Sequence, residues 1–402
     1  MHTVPRVLCS SDVPTPAVTA RGGIGLLGCG TVGSSVARRL LASHPGLVRG
    51  IAVRDPFKPR EVAWDDFDGD PFEVVDDPSV RVVVECIGGV GLARELVLRA
   101  IARGKDVVTA NKDLIATEGP WLAQFAARTG ATLRYEAAVG GAIPIVRALA
   151  GSLADEDVLE VGGVLNGTTN FILDAMANGA DYADALAEAQ RLGFAESDPR
   201  ADVDGHDAAH KLAILAGLAF HRPSVSGGIF RRGIAAVSAA DVRAGAQRGW
   251  TLKLLALARR SDDGAVEAGV TPAYVPHSHP FAQPRGPQNV VRVVGRGSGA
   301  LTFSGAGAGG DATASAVVAD VIAALEGRDR HVPAHAGEDL VTRPLRARVL
   351  LRFDETAVLT PEPVPLDQLE ATARVYSVHG TVRAVVPVWD GDDGLVQIEQ
   401  AV

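Results

Sequence analysis

The stretch that most constrains the fold is "GIGLLGCGTVGSSVARRLLAS", residues 23–43. Ile24 to Leu27 form a short apolar run. Gly28, Gly30 and Gly33 follow as G-x-G-x-x-G, and then Val36, Leu40 and Leu41 recur at helical spacing. A plain turn can use the same glycines, but a strand before and a helix after supply the context in which this motif holds a dinucleotide. Gly28 permits the tight turn, Gly30 lets the backbone approach a pyrophosphate, and Gly33 lets helix and strand come close. Thr31 and Val32 stand at the helix start, where free N–H groups and the positive dipole end favour an anion.

The second strand lies in "GLVRGIAVRDPFKPR". Its tip is expected to meet the adenosine ribose. Arg54 there, with Lys58 and Arg60 beyond, favours the 2′-phosphate of NADP; the adjacent Asp55 keeps NAD open. Apolar strands at 80–89, "KDVVTANK" and "ATLRYEAAVGGAIP" alternate with helices at 91–103 and in "GPWLAQFAART". Such alternation specifies a parallel sheet covered on both faces. Ligands sit at the carboxyl ends of its strands. Ile87-Gly88, Asn111-Lys112 and the turn 136–143 should therefore face one crevice.

At 402 residues the chain suits two or three domains. A net charge of −9 argues against nucleic acid as a partner. Cys9, Cys29 and Cys86 show neither Cys-x-x-Cys nor zinc spacing and read as reduced thiols of a cytoplasmic protein. Residues 1–20 are rich in Pro, Ser and Thr without a long apolar core, so they read as a loose tail rather than a signal or membrane anchor.

The pattern changes near Gly151. "EVGGVLNGTTNFIL" reads as a strand, a turn at Asn166-Gly167 and a helix start, and "YADALAEAQRLGF" as a helix ended by Gly193. After an extended loop at Asp198-Pro199, "ADVDGHDAAHKLAILAGLAF" enters a helix near Gly205. On that helix Asp207, Lys211, Ile214 and Leu218 share a face, with Asp207 and Lys211 at i and i+4. A solvated surface pair would not share its stripe with Ile214 and Leu218. A lysine on a buried stripe is costly unless it lines a polar pocket. Glu196 and Asp202 lie in the segment leading in, while His206 and His210 fall on another face and read as structural or exposed. Acids that hold an ammonium group, one proton donor and a nicotinamide are the equipment for reducing a small amino aldehyde or oxidising the alcohol.

With these residues in view the chain resembles the homoserine dehydrogenase family from about Ile24 to Leu325. The resemblance rests on "GLLGCGTVG", "TANKDLIA", "YEAAVGGAIPI", "GGVLNGTTNFIL", "YADALAEAQRLGFAESDPRADVDGHDAAHKLAILA" and "GAGAGGDATASAVVADVI". It implies interconversion of L-aspartate 4-semialdehyde and L-homoserine with NAD(P)H, on the route to threonine and methionine. It implies Lys211 as proton donor with Asp207 beside it, and Lys112 at the reacting oxygen and the nicotinamide end. Glu196 and Asp202 would lie near the substrate, with Gly167 and Thr168 on its carboxylate side. Glu136, Val139, Gly141 and Ile143 are similar to the family's site for a monovalent cation, sodium. Gly305 and Gly307 would return to the cofactor. The implied fold is α/β, a Rossmann-type doubly wound parallel sheet with an α+β catalytic and dimerisation domain, and the implied assembly is a homodimer. Departures are Phe194 for a frequent Tyr, Asp113 for a frequent Ala, and Asp311-Ala312 in place of Leu-Pro.

This reading divides the chain into a tail (1–20), a dinucleotide domain (21–150 with 301–325 returning), a substrate and dimerisation domain (151–300) and a short ACT-like segment (340–402). In the last, "LRARVLLRFDET" and "GLVQIEQAV" read as strands, and "LDQLEATARVYSVHG" as a helix leading to "TVRAVVPVWDG", without the Pro-Gly-Val-Leu turn typical of ACT domains. Two other readings stand beside the main one: a paralogous reductase of a different small amino aldehyde, and a non-catalytic NADP sensor.

Overall fold

The computed structural model describes residues 22–224, 226–327, 338–353, 356–376 and 384–389. The expected tail at 1–20, Cys9 and the strand expected in "GLVQIEQAV" lie outside these residues. The glycine motif sits where the sequence places it. It joins β1 (Gly23–Leu27) to α1 (Thr31–Ser43). Next come β2 (Val48–Ala52), β3 (Phe67–Asp68), α2 (Pro71–Asp76), β4 (Val80–Glu85) and α3 (Leu92–Ala102). β5 (Asp106–Thr109), α4 (Lys112–Thr129) and β6 (Leu133–Arg134) complete this half.

The six strands form a parallel sheet in the order β3-β2-β1-β4-β5-β6. This is the doubly wound order of dinucleotide-binding folds. Its apolar strands are explained by burial on both faces. Ile24, Leu26, Val82, Val84 and Val108 join one core cluster, with Val36 and Leu40 of α1. Leu27, Val83 and Val107 join the other, with Leu96 of α3 and Leu114 of α4. Period-two alternation thus sends neighbouring side chains into opposite layers.

Two expected boundaries move. The strand at "KDVVTANK" stops at Thr109, and the helix expected in "GPWLAQFAART" starts at Lys112. The cause is Asn111, whose Oδ1 accepts a hydrogen bond from Leu114 N at 3.1 Å and caps the helix. Pro120 is carried inside α4. The strand expected in "ATLRYEAAVGGAIP" is only two residues long, because a 3₁₀ turn at Glu136–Ala138 follows at once.

A short α5 (Ile145–Arg147) leads to the second half. There β7 (Val158–Val164) precedes α6 (Gly167–Ala177), α7 (Tyr182–Arg191), α8 (Arg200–Val203) and α9 (His206–Ala219). The loop expected to be extended at Asp198-Pro199 instead enters α8 directly after Pro199, which is pre-set for a helix start. Gly193 closes α7 with φ of +77° as expected. β8 (Phe230–Arg231), α10 (Ala239–Ala246), β9 (Trp250–Arg260), β10 (Val266–Pro276), β11 (Gln288–Gly295) and β12 (Gly299–Ala306) follow, then α11 (Gly310–Glu326).

The remaining elements are β13 (Thr342–Pro344), β14 (Arg346–Arg352), β15 (Ala357–Leu359), β16 (Val364–Pro365), α12 (Leu369–Tyr376) and β17 (Ala384–Val388). An eleven-stranded mixed sheet contains the order β12-β11-β7-β9-β10-β17-β14-β15. The C-terminal strands therefore extend the middle sheet, through Val388 of β17 beside Tyr274 of β10. α11 returns to the first half and packs on α1. Among the described residues, no helix is long and apolar enough to cross a membrane.

Candidate active site

Helix α9 is buried along nearly its whole length. Gly205 precedes it with φ of +80°, in the left-handed region where a Cβ is strained. Asp207 and Lys211, one turn apart, are only 5% and 8% exposed. Lys211 Nζ donates to Asp207 Oδ2 and to the carbonyl of Leu165, both at 2.8 Å. An ammonium has three donors. Two are engaged here among the described residues.

Lys112, at the first turn of α4, comes from the other half of the molecule. Its Nζ lies 2.9 Å from Asp207 Oδ1. One carboxylate thus carries two ammonium groups. Burial alone would raise the Asp207 carboxyl, but Lys211 and Lys112 hold it far below the ordinary carboxylate range. In return Asp207 pushes Lys112 upward against the opposing effect of burial.

Asn166 joins the acids, a role that the sequence reading did not assign. Its Nδ2 donates to Asp202 Oδ1 at 2.6 Å and to Asp207 Oδ2 at 2.8 Å. Its Oδ1 accepts from Thr169 N at 2.8 Å and caps α6. The signal was present as Asn ahead of Gly-Thr-Thr and an apolar run, but a cap pattern does not say where its amide points. Burial and the nearby Asp207 charge push Asp202 up from its ordinary value, so a cation beside it would be welcome. Glu196 is exposed in the loop after α7 and is not drawn into this cluster.

Thr168 Oγ1 donates to the carbonyl of Phe194 at 2.7 Å, tying α6 to that loop. Phe194 packs against Phe171 at a tilt, with ring centroids 5.1 Å apart. A Cβ on Gly167 would stand 2.7 Å from the carbonyl of Pro287, so backbone contact alone requires glycine there. Asn289 was also not anticipated. Its Nδ2 donates at 2.8 Å to the same Leu165 carbonyl that receives Lys211. Its buried Oδ1 has no hydrogen-bond partner among the described residues. Gly307 lies directly over that carboxamide, which occupies the space a Cβ would need.

His210, read from the sequence as structural or exposed, is half-buried and paired. Its Nδ1 lies 2.8 Å from Asp113 Oδ1, beside the Lys112–Asp207 bridge. The pair forms because the first turn of α4 meets α9. Asp311 lies 3.8 Å from Arg38 of α1, an exposed pair of little energetic weight.

The glycine loop fits a dinucleotide. A Cβ on Gly28 would lie 2.8 Å from the Cys86 carbonyl, and one on Gly33 only 2.0 Å from the Gly28 carbonyl. Gly30 has nothing within 4 Å, leaving an open cradle in front of the uncapped N-terminus of α1. Thr31 is exposed and Val32 half-buried at that helix start. Arg54 is exposed two residues beyond β2, and Ile87 is 37% exposed at the end of β4. Cys29 and Cys86 are free thiols. Gly310, at the start of α11, abuts Thr31 and Ser35 of α1, which brings the turn 305–309 back to the loop.

Glu136 is buried, and its oxygens accept from Val146 N at 3.0 Å and Arg147 N at 2.8 Å. Burial and the charge of Asp320 push its carboxyl up to about 7. Gly140 and Gly141 have φ of +73° and +56° and turn the backbone between Val139 and Ile143. Among the described residues, no group of three or more His, Cys, Asp or Glu is disposed to hold a metal.

Comparison with known proteins agrees with this geometry. Residues 28–136 match the model of the NAD-binding domain of homoserine dehydrogenase, and residues 144–322 match that of homoserine dehydrogenase itself. A homoserine dehydrogenase of Corynebacterium glutamicum is 48% identical over 321 residues, 76% of this chain and 72% of that one. The crystal structure of a homoserine dehydrogenase from Thiobacillus denitrificans superposes with a TM-score of 0.83 at 33% identity, covering 92% of this chain and 99% of that one. A hyperthermophilic archaeal homoserine dehydrogenase in complex with NADPH gives 0.65 at 26% identity, covering 77% and 99%. The readings as a paralogous reductase or a non-catalytic sensor gain nothing from these matches. With a nucleotide cradle in one half and a lysine–carboxylate cluster facing it from the other, the chain belongs to the homoserine dehydrogenase family of NAD(P)-dependent oxidoreductases acting on a CH–OH group.

Proposed function

We propose that Lys211 is the proton donor in the reduction of L-aspartate 4-semialdehyde to L-homoserine, and takes the proton back in the reverse direction. The observation that carries this is buried Asp207, whose two oxygens hold Lys211 and the half-buried Lys112. When bound, the dinucleotide supplies or accepts the hydride. Asp207 holds and aims Lys211, whose remaining N–H faces the oxygen on which negative charge develops. Lys112 adds a second positive charge near that oxygen and the nicotinamide end. Asp202, with Glu196 reaching in from its exposed loop, holds the substrate ammonium, and Gly167 and Thr168 lie toward its carboxylate.

The preferred cofactor is NADP. The exposed Arg54 and the neighbouring Lys58 offer charge to a 2′-phosphate, in line with the NADPH bound by the archaeal relative. A monovalent cation, sodium, belongs to the turn at Glu136, Val139, Gly141 and Ile143. The Glu136 carboxylate is already used by two amides, so the ion would rest on backbone carbonyls. The protein works as a cytoplasmic homodimer on the route to threonine and methionine. The nucleotide unit is residues 21–150 with α11 returning to it; the expected return from 301 begins later, because β12 (Gly299–Ala306) belongs to the middle sheet of the substrate and dimer unit, and 340–402 is a reduced ACT-like appendage. Steady-state oxidation of L-homoserine followed at 340 nm with NADP and with NAD tests the reading. Turnover with NADP, and Arg54→Ala raising the KM for NADP while leaving that for NAD unchanged, is expected. No turnover from folded protein that binds cofactor would refute it.

A further inference from the structure

Glu85 ends β4 at 0% exposure and takes no part in the chemistry above. A carboxylate at that depth is costly unless its oxygens are met. Among the described residues it has no Lys or Arg partner, and neutral donors meet it instead. Oε1 accepts from Ile87 N at 2.7 Å and Gly88 N at 2.8 Å, and Oε2 accepts from the Thr109 hydroxyl at 2.5 Å. The same hydroxyl oxygen accepts from Asn111 N at 2.9 Å. Asn111 Nδ2 donates to the Gly89 carbonyl at 2.6 Å, while its Oδ1 caps α4. The next residue is Lys112, whose Nζ reaches Asp207. An unbroken chain of hydrogen bonds therefore runs from Glu85 to the start of α4.

We propose that Glu85 is a positioning residue: through Thr109 and Asn111 its carboxylate fixes the first turn of α4, and so the place of Lys112 against Asp207. A carboxylate suits this post because it offers only acceptors, and three donors converge on it. A glutamine would turn an N–H toward one of them. The inference rests on the placement of Lys112 at the reacting oxygen given above.

The test compares Glu85→Gln, Thr109→Val and Thr109→Ser with wild type, each alone and on a Lys112→Ala background. Loss of alignment at a reacting centre is expected to lower kcat about tenfold or more in Glu85→Gln and Thr109→Val. Thr109→Ser keeps the hydroxyl and stays near wild type. On the Lys112→Ala background the first two substitutions should change kcat by less than about twofold, since effects through a shared partner do not add. Independently of turnover, amide hydrogen exchange in the cofactor-free protein should quicken across residues 86–92 in Glu85→Gln and remain slow there in Thr109→Val. Wild-type kcat in both variants, or the same fold loss with and without Lys112, would overturn the inference. Should Glu85→Gln fail to fold, the Thr109 pair decides alone. A Lys112→Ala variant with wild-type turnover would overturn the placement of Lys112 and this inference with it. An impaired Lys112→Ala beside normal Glu85→Gln and Thr109→Val would sink only the inference.

Discussion

Asp207 owes its effect to what meets its two oxygens. A surface i,i+4 pair contributes a few tenths of a kcal/mol. Here the carboxylate is buried, and removing one partner would leave an uncompensated charge. Asn166 adds a third bond to it and a cap to α6. Its two duties can be separated. Asn166→Ala should lose about 1 kcal/mol of stability by removing the cap, and should raise the KM for homoserine by releasing Asp202. Asn166→Ser restores the cap but is too short to reach both acids. It should recover the melting temperature without recovering KM, and recovery of both would show that the bridge to the acids is idle.

Lys253 of β9 shows a buried lysine of another kind. Its Nζ donates to Asn170 Oδ1 at 2.6 Å and to the Pro284 carbonyl at 2.8 Å, with no carboxylate in direct contact among the described residues. Burial pulls it down to about 8. The folded state therefore binds fewer protons than the unfolded state between about pH 8 and the ordinary lysine value near 10.4. Stability due to this residue rises with pH across that window. Melting curves of wild type and Lys253→Met should show the wild type gaining on the variant from pH 8 to pH 10. A constant difference would mean that Lys253 titrates normally.

At the scale of elements, the three glycines make different demands. Gly30 faces open space, so Gly30→Ala should melt as wild type does yet lose tenfold or more in NADPH affinity. Gly33→Ala drives a Cβ to 2.0 Å from the Gly28 carbonyl and should lose both stability and affinity. Fluorescence titration and thermal melts of the two variants check this, and equal stability loss in both would contradict the cradle. The turn β1–α1 was legible in the sequence because its glycines and apolar periods act locally. The first turn of α4 was not. Its cap is a single Asn whose side chain could equally have served a turn, and the sequence pattern places the helix start only near Gly119-Pro120, which the fold carries inside α4.

Over the whole molecule, the parallel sheet could be read in advance because continuous apolar strands alternate with helices; the burial of Lys211 could be read too, although α9 is buried on nearly every face rather than along one stripe. The meeting of Lys112 with Asp207 could be expected only from resemblance, since no local pattern brings residues 95 positions apart to one carboxylate. Neither pattern nor resemblance pointed to Asn289, which reaches the Leu165 carbonyl from the neighbouring strand, or to β17, which joins the tail to the middle sheet.

The claim on which the account turns is that Lys211 passes the proton while Asp207 and Lys112 set the field around it. Its most direct test is single-turnover oxidation of NADPH by L-aspartate 4-semialdehyde, followed by stopped flow at 340 nm in wild type and Lys211→Ala with both ligands saturating. General acid catalysis contributes about 10²–10⁴-fold, so the account predicts a fall of that size with NADPH affinity unchanged. A Lys211→Ala rate within tenfold of wild type would contradict it.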